Sequence, residues 1–368
     1  MNGAPSDQWS SVYYIISTLI FLFLILFNQR IQVFFWLQEI SKALRRLEKM
    51  VGDSKAVLIR VFREYGNAQQ DLINRLNELL EFYVISPVER DPFGVIRRLE
   101  HLLRLQRDKL RETIARLAPE ADIVIVKNIS NMVEASIALN TLYRITRHYS
   151  ILGRKTKNIY MIMQLEMLLP QIMKAANAYY KALKAFSHGK PIGDGIGALV
   201  AGKLILNANE KKVEIVDDTV IAEIPFEGRR LLVVKAAGPG GEVGRPGKII
   251  ERIVEGNRGK IARIIMIDAA LKLEGEKSGE VIEGIGAAIG DPGPEKLKIE
   301  EVATRYNIPI DSIIVKESLE EAITTMKKEI AEAAENVIKR IREIVLRGTK
   351  EGDTVIIAGI GNSMGIGQ

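Results

Sequence analysis

VIIAGIGNSMGIGQ, Val355 to Gln368, is the stretch that decides the fold. A short apolar run breaks into Gly359-Ile360-Gly361-Asn362, the pattern in which a buried strand hands over to a glycine turn at the start of an α/β domain. Here the opening strand comes last in sequence. Its sheet neighbours must therefore lie upstream, and the preceding residues supply them.

From Gly195 onward, glycines are frequent and β-branched runs alternate with helical stretches. GIGALVAGKLIL (195–206) reads as a helix behind a glycine turn, and KKVEIVDDTVIAEIPFEGRRLLVVKAAG as two or three strands. A helix over Arg245–Glu255 precedes the buried strand ARIIMIDAA (262–270). A helix over Glu295–Arg305, the strand DSIIVKE (311–317) and a long helix over Leu319–Arg347 lead into the last strand, 353–362. Strands separated by helices predict a mostly parallel sheet covered on both faces. In such sheets ligands bind beyond the carboxyl ends of the strands.

The N-terminus reads differently. No charge occurs between Gln8 and Gln29, and VYYIISTLIFLFLILF (12–27) is almost wholly apolar. That length predicts a transmembrane helix across a ~30 Å hydrocarbon layer. Asp7 alone precedes it, and Arg30, Lys42, Arg45, Arg46 and Lys49 follow, so the positive-inside rule predicts a single-pass protein, N-terminus outside and C-terminal domain cytoplasmic. IQVFFWLQEI (31–40) reads as the stretch leaving the bilayer.

The middle, to about residue 187, is read as all-helical. Leu72, Ile73, Leu76, Leu79, Leu80 and Val84 form one stripe, closed by Ser86-Pro87. Ile96, Leu99, Leu103, Leu110, Ile114 and Leu117 recur at near-heptad spacing, which predicts coiled-coil or bundle packing and a homo-oligomer. A third helix runs from Ile123 to about Tyr149. The basic loop GRKTK (153–157) then precedes a Met-rich fourth helix, whose methionines read as core filling. The organisation predicted is thus 1–30 tail and transmembrane helix, 31–187 basic helical region, and 188–368 α/β domain.

Composition narrows the function. With no cysteine, disulfides, zinc–thiolate sites and thiol catalysis are excluded, and with only three histidines, His101, His148 and His188, a multi-histidine metal site is not expected. The net charge of +6 is uneven: residues 28–190 carry 27 Lys/Arg against 16 Asp/Glu, and residues 191–368 carry 25 against 29. Basic residues mixed with acids and lacking aromatic–basic motifs point to a lipid bilayer rather than nucleic acid. Gly359-x-Gly361 has no helix after it and no ribose-binding acid downstream, so no nucleotide cofactor is expected.

G-I-G-N at 359–362 and the acid with its glycine turn in GDGIGALVA (193–201) resemble, in reversed order, the opening of the hydrogenase maturation proteases and, more loosely, of the spore germination protease. The later landmarks keep the family's order: VVKAAGPGGEVG, IMIDA (265–269), GPEKLKIEEVATRYN and SIIVKES. The C-terminal domain thus resembles a circularly permuted form of that fold, with the first strand moved to the end, which is cheap when the natural termini lie close together. The resemblance implies Asp194 and Asp268 as acidic metal ligands, with Glu295 where the family has histidine. Three oxygen donors suit a hard divalent cation of unknown identity. The whole chain, with its anchor, helical middle and α/β end, also resembles an uncharacterised archaeal membrane family known as a domain of unknown function.

Two readings compete. One is a hydrolase-like, peptidase-type domain in which Asp194 and Asp268 polarise water, with or without the cation. In it Asn362, Gly361 and the backbone of Gly238, Gly240 and Gly241 place a carbonyl or phosphate. The other is a catalytically inactive scaffold that binds an unknown protein or peptide partner and oligomerises through its helices. Each acid also has a structural alternative: Asp194 as a helix cap, Glu295 as a first-turn acid. The glycine-rich stretch 274–290, with Glu274, Glu276, Glu280 and Glu283, reads as a mobile flap.

Overall fold

The computed structural model of the chain describes residues 6–66, 72–82, 94–290 and 293–367. Ten helices are present among them: α1 (Ser6–Glu64), α2 (Leu72–Leu80), α3 (Val95–Leu117), α4 (Ile123–Thr156), α5 (Ile159–Ser187), α6 (Ile196–Leu206), α7 (Pro246–Gly256), α8 (Pro294–Tyr306), α9 (Leu319–Ile323) and α10 (Lys328–Gly348). The strands are β1 (Lys212–Val216), β2 (Thr219–Phe226), β3 (Arg229–Ala236), β4 (Arg263–Leu271), β5 (Val281–Ile285), β6 (Ile310–Glu317) and β7 (Thr354–Gly359). The predicted stop at Ser86-Pro87 lies outside the described residues.

The expected transmembrane segment is overturned: among the described residues, no helix is long and apolar enough to cross a membrane. The apolar run does not form a helix of its own. It opens α1, whose 59 residues continue without a break through Arg30 and the charged stretch from Lys42 to Lys49. The single-pass placement, with one end outside and the other cytoplasmic, rested on that span and is withdrawn with it. Ile40, expected near an interface, is fully buried. GRKTK is not a loop either, because α4 runs to Thr156; Arg154 and Lys155 sit in its last turn, where the helix dipole favours cations.

The chain divides into two compact units, 1–51 with 140–176, and 52–139 with 177–368. In the first, Ile40 and Ala43 of α1 pack with Ile162, Leu165 and Leu169 of α5, and Arg154 donates to the Ser41 hydroxyl at 2.7 Å.

The second unit holds a seven-stranded sheet ordered β1-β2-β3-β7-β4-β6-β5. The expectation of a mostly parallel sheet needs correcting, for the sheet is mixed. β3, β7, β4 and β6 run parallel, whereas β1 and β2 at one edge and β5 at the other are antiparallel. The cause is local. Asp217 and Asp218, both at positive φ, close a two-residue hairpin between β1 and β2. Glu227-Gly228 does the same between β2 and β3. The glycine-rich stretch read as a flap contains strand β5 and is tied down: Lys316 Nζ donates to Glu276 at 2.5 Å, and Ser278 donates to Glu321 at 2.8 Å.

Helices cover both faces. Ile196, Val200, Leu204 and the stripe Ile330, Val337, Ile341, Ile344 of α10 bury one face. Ile249, Ile250 and Val254 of α7 with Ile299 and Val302 of α8 bury the other. The helix expected over 319–347 is broken at 324–327, where β-bridge pairing of Thr325 with Ile192 intervenes.

β7 occupies the centre, bonded to β3 on one side and β4 on the other. A Cβ on Gly197 of α6 would collide with the carbonyl oxygens of Ile360 and Ile267, and one on Gly359 with that of Gly197. Glycine at 197 and 359 thus lets helix backbone rest directly on strand backbone. Gly197→Ala is expected to destabilise the protein by about 1–3 kcal/mol, the usual cost of overpacking a rigid contact. A lowered urea midpoint with unchanged slope would show it; an unchanged midpoint would mean the contact is looser than described.

Candidate acidic site at the carboxyl end of the sheet

The carboxyl ends of β4 and β7 separate because the chain after β7 turns away at Gly361, whose φ is +111°. A side chain there would strike the Asp194 carbonyl, so only glycine permits this approach. Into the resulting crevice project Asp268, the sixth residue of β4, and Asp194, in the short turn Gly193–Gly195 ahead of α6. Both line one cavity of about 340 Å³, whose wall includes Gly361, Ile360, Ile289, Gly290 and residues of α3.

Asp268 is 5% exposed. Its Oδ1 accepts the backbone N–H of Ala269 at 2.8 Å, and the N–H of Gly290 also bonds to it. These bonds favour the ionised form, but burial and then the Asp194 charge act more strongly, and the carboxyl is pushed up to about 8. Asp194 Oδ2 accepts the Asn362 N–H at 2.8 Å. Its pKa is raised too, by burial, with that hydrogen bond opposing. It does not cap α6, whose first residue follows Gly195 without a side-chain cap.

A third acid, absent from the residues singled out above, stands behind the pair. Glu317 ends β6 and is 1% exposed. Neither of its carboxylate oxygens has a hydrogen-bond partner. Burial, with the charges of Asp194, Glu321 and Asp268, raises it to about 8. Its signal was available, since an acid that closes an apolar strand is the same pattern that marks Asp268.

The remaining expected residues are placed otherwise. Glu295 borders the cavity, yet its Oε2 accepts the N–H of Lys248 at 3.0 Å, capping the first turn of α7. Among the described residues, no group of three or more acids or histidines is placed so that it could hold a metal ion. Asn362 contributes its backbone to Asp194, while its side chain donates to Asn131 at 3.1 Å and accepts from Met364 N–H at 3.0 Å.

The turn 238–241 does not reach the cavity. Gly241 donates its N–H to Asn128 at 2.9 Å and Asn131 donates to the Gly241 carbonyl at 3.0 Å. Ser363 Oγ donates to the Gly240 carbonyl at 2.9 Å, and a Cβ on Gly238 would overlap the Ile366 carbonyl. The glycines at 238 and 241 allow close packing here, and the Gly241 N–H is already engaged.

Next to that turn lies an ion network. Arg111 donates to Asp218 at 3.0 Å and also to Glu242. Lys127 donates to Asp218 at 2.7 Å and lies 3.7 Å from Glu242. Glu242 is 3% exposed, so its charge depends on these partners. The network ties α3 and α4 to the end of the sheet, and α3 thereby becomes a wall of the cavity.

Residues 14–189 match the N-terminal domain described as "Protein of unknown function (DUF1512)", and residues 192–367 match the "Domain of unknown function (DUF1512) C-terminal". The chain belongs to the DUF1512 family. No curated protein and no solved structure matches it.

Asp268 makes a stability prediction. Its folded-state pKa lies above its unfolded one, so the folded protein prefers the protonated form. The wild type therefore loses stability as pH rises from about 4 toward 8. Asp268→Asn lacks this loss. Its melting temperature should exceed the wild type's by several degrees at pH 8.5, with the gap closing below pH 5. Melts of both proteins across that range would show it; a difference independent of pH would mean that the carboxyl is not buried uncompensated.

Proposed function

We propose that the C-terminal domain of this DUF1512 protein is a hydrolase of the peptidase type, in which Asp194 and Asp268 work as an acid–base pair. One observation carries the reading: an aspartate at the carboxyl end of β4 and another in the turn ahead of α6 line one cavity, and burial raises the pKa of both, the Asp194 charge adding to the rise at Asp268. The resemblance to the maturation and germination proteases, in permuted form, supports the same class. The strand ending in G-I-G-N takes the central place that this likeness requires, beside Asp194.

The chemistry balances with water alone. Asp194, whose ionised form the Asn362 N–H favours, takes a proton from a water molecule. The hydroxide adds to the substrate carbonyl carbon while Asp268, protonated below about pH 8, gives its proton to the leaving nitrogen or oxygen. The C–N or C–O bond breaks, an acid and an amine or alcohol leave, and one proton remains on the pair. Glu317, a buried acid whose carboxylate oxygens have no hydrogen-bond partner, stands near both residues, and burial together with their charges raises its pKa to about 8.

The test is turnover of a panel of quenched peptides and activated esters by the full chain. Asp194→Asn and Asp268→Asn should each lower turnover by about 10²–10⁴-fold, the usual worth of a general acid or base, with unchanged circular dichroism. Wild-type turnover should fall as pH rises above about 8, where Asp268 loses its proton. Equal turnover by Asp268→Asn and the wild type would defeat the assignment. No turnover of any member by the intact chain would leave the inactive scaffold as the better reading.

A further inference from the structure

The cavity has two chemically different ends. Its floor is the aspartate pair. Its outer wall is built by Leu103, Arg104 and Arg107 of α3 and by Arg245, which precedes α7. Two acids also border that wall, and each is already engaged: Glu100 with Lys298 at 2.6 Å, and Glu295 with the Lys248 N–H at 3.0 Å. Arg107 lies 3.5 Å from Glu242.

Arg104 and Arg245 differ. Among the described residues, neither has a carboxylate within ion-pair distance. The Arg104 guanidinium hydrogen-bonds the His101 ring at 3.2 Å, and Arg245 donates its backbone N–H to the Thr219 hydroxyl at 2.7 Å. Several arginines of this unit are ion-paired, among them Arg111, Arg230, Arg263, Arg305 and Arg340. Arg245 acts on Asp217, itself ion-paired to Lys248, through its field alone, and Arg104 has no carboxylate within ion-pair distance; beside a cavity whose bordering glutamates are engaged, the two guanidiniums leave a surplus of positive charge. Guanidinium favours planar oxyanions because it offers two parallel donors. The apolar lining of Leu103, Val243 and Ile289 between wall and floor suits a short aliphatic spacer.

We infer that the molecule this cavity takes carries an anionic group, a carboxylate or a phosphate, held by Arg104 and Arg245 while its reacting bond lies over Asp194 and Asp268. The inference rests on the hydrolase reading for the position of the bond, but the anion site is measurable without turnover. An anion at the floor would meet two acids, so binding has one orientation, with the negative group outward and the neutral bond inward.

The experiment is isothermal titration of the full chain with N-acetylglutamate, N-acetyl-phosphoserine and, as the neutral control, N-acetylglutamine. At least one anionic probe should bind about tenfold or more tighter than the control, and salt should weaken it. Which of the two binds better separates a carboxylate from a phosphate ligand. Arg104→Gln, an exposed position on α3, should weaken anion binding about tenfold, and Arg104→Gln/Arg245→Gln more, with the control unchanged. The Asp194→Asn/Asp268→Asn chain should bind the anions at least as well as wild type, because it removes repulsion.

Anion affinity that survives loss of both arginines would overturn the inference. So would a neutral probe that binds as well as the charged ones, or no binding of either anion. Failure of the hydrolase reading alone looks different: anions bind through the arginines, yet no substrate turns over. Failure of the anion site alone leaves Asp268-dependent turnover of neutral substrates intact.

Discussion

The placement of every functional group at the end of this sheet depends on one contact, the backbone of α6 lying against the backbone of β7 and β4. Gly197 and Gly359 remove the side chains that would hold these elements apart. Because α6 sits so close, the turn ahead of it brings Asp194 within hydrogen-bond range of Asn362, the third residue past β7. Gly361 then bends the chain away and leaves the crevice. The two aspartates come from segments 74 residues apart, by their numbering, and this contact brings them to one cavity.

Electrostatics at this end divide into two regimes. Around Glu242, buried charge is balanced by Arg111 and Lys127, and the result is a fixed joint between helices and sheet. Around Asp194, Asp268 and Glu317, buried charge lacks a cationic partner, and protons take that role. Cations remain on the outer wall of the same cavity. A protein that stabilised only its fold would gain from moving an arginine inward to the acids. Keeping the two signs apart costs stability, as expected where a site rather than a core is being maintained.

Much of this was legible in the sequence, and the parts that were not have physical causes. β4 and its aspartate were plain, because an acid closing a run such as IIMI has no reason to be there unless something compensates it. Glu317 carries the same signal, weakened by Lys316 beside it, which makes the strand end look like a solvated edge. The stripe on α3 was visible, but apolar spacing does not say what an element packs against. Leu110, Ile114 and Leu117 are buried, while Leu103 on the same stripe faces the cavity. The glycines at 238–241 were read as donors for a ligand, whereas they are small so that Ile366 and Asn131 can approach. β5 was hidden because the glycine within VIEGI, Gly284, lowers its apparent strand character, although an edge strand tolerates it. The N-terminal apolar run was judged alone, without the charged half of the helix that it begins.

The position of β7 has a consequence for how the domain comes into being. β7 follows all of its partners in sequence, yet it alone joins β1-β2-β3 to β4-β6-β5. While the chain emerges from the ribosome, the two half-sheets are made first, and each shows an unpaired parallel edge, that of β3 and that of β4. Such edges invite pairing with other chains. The aspartates gain their shared surroundings only when the last strand slides between them. Assembly of the domain and completion of its cavity are therefore one late event.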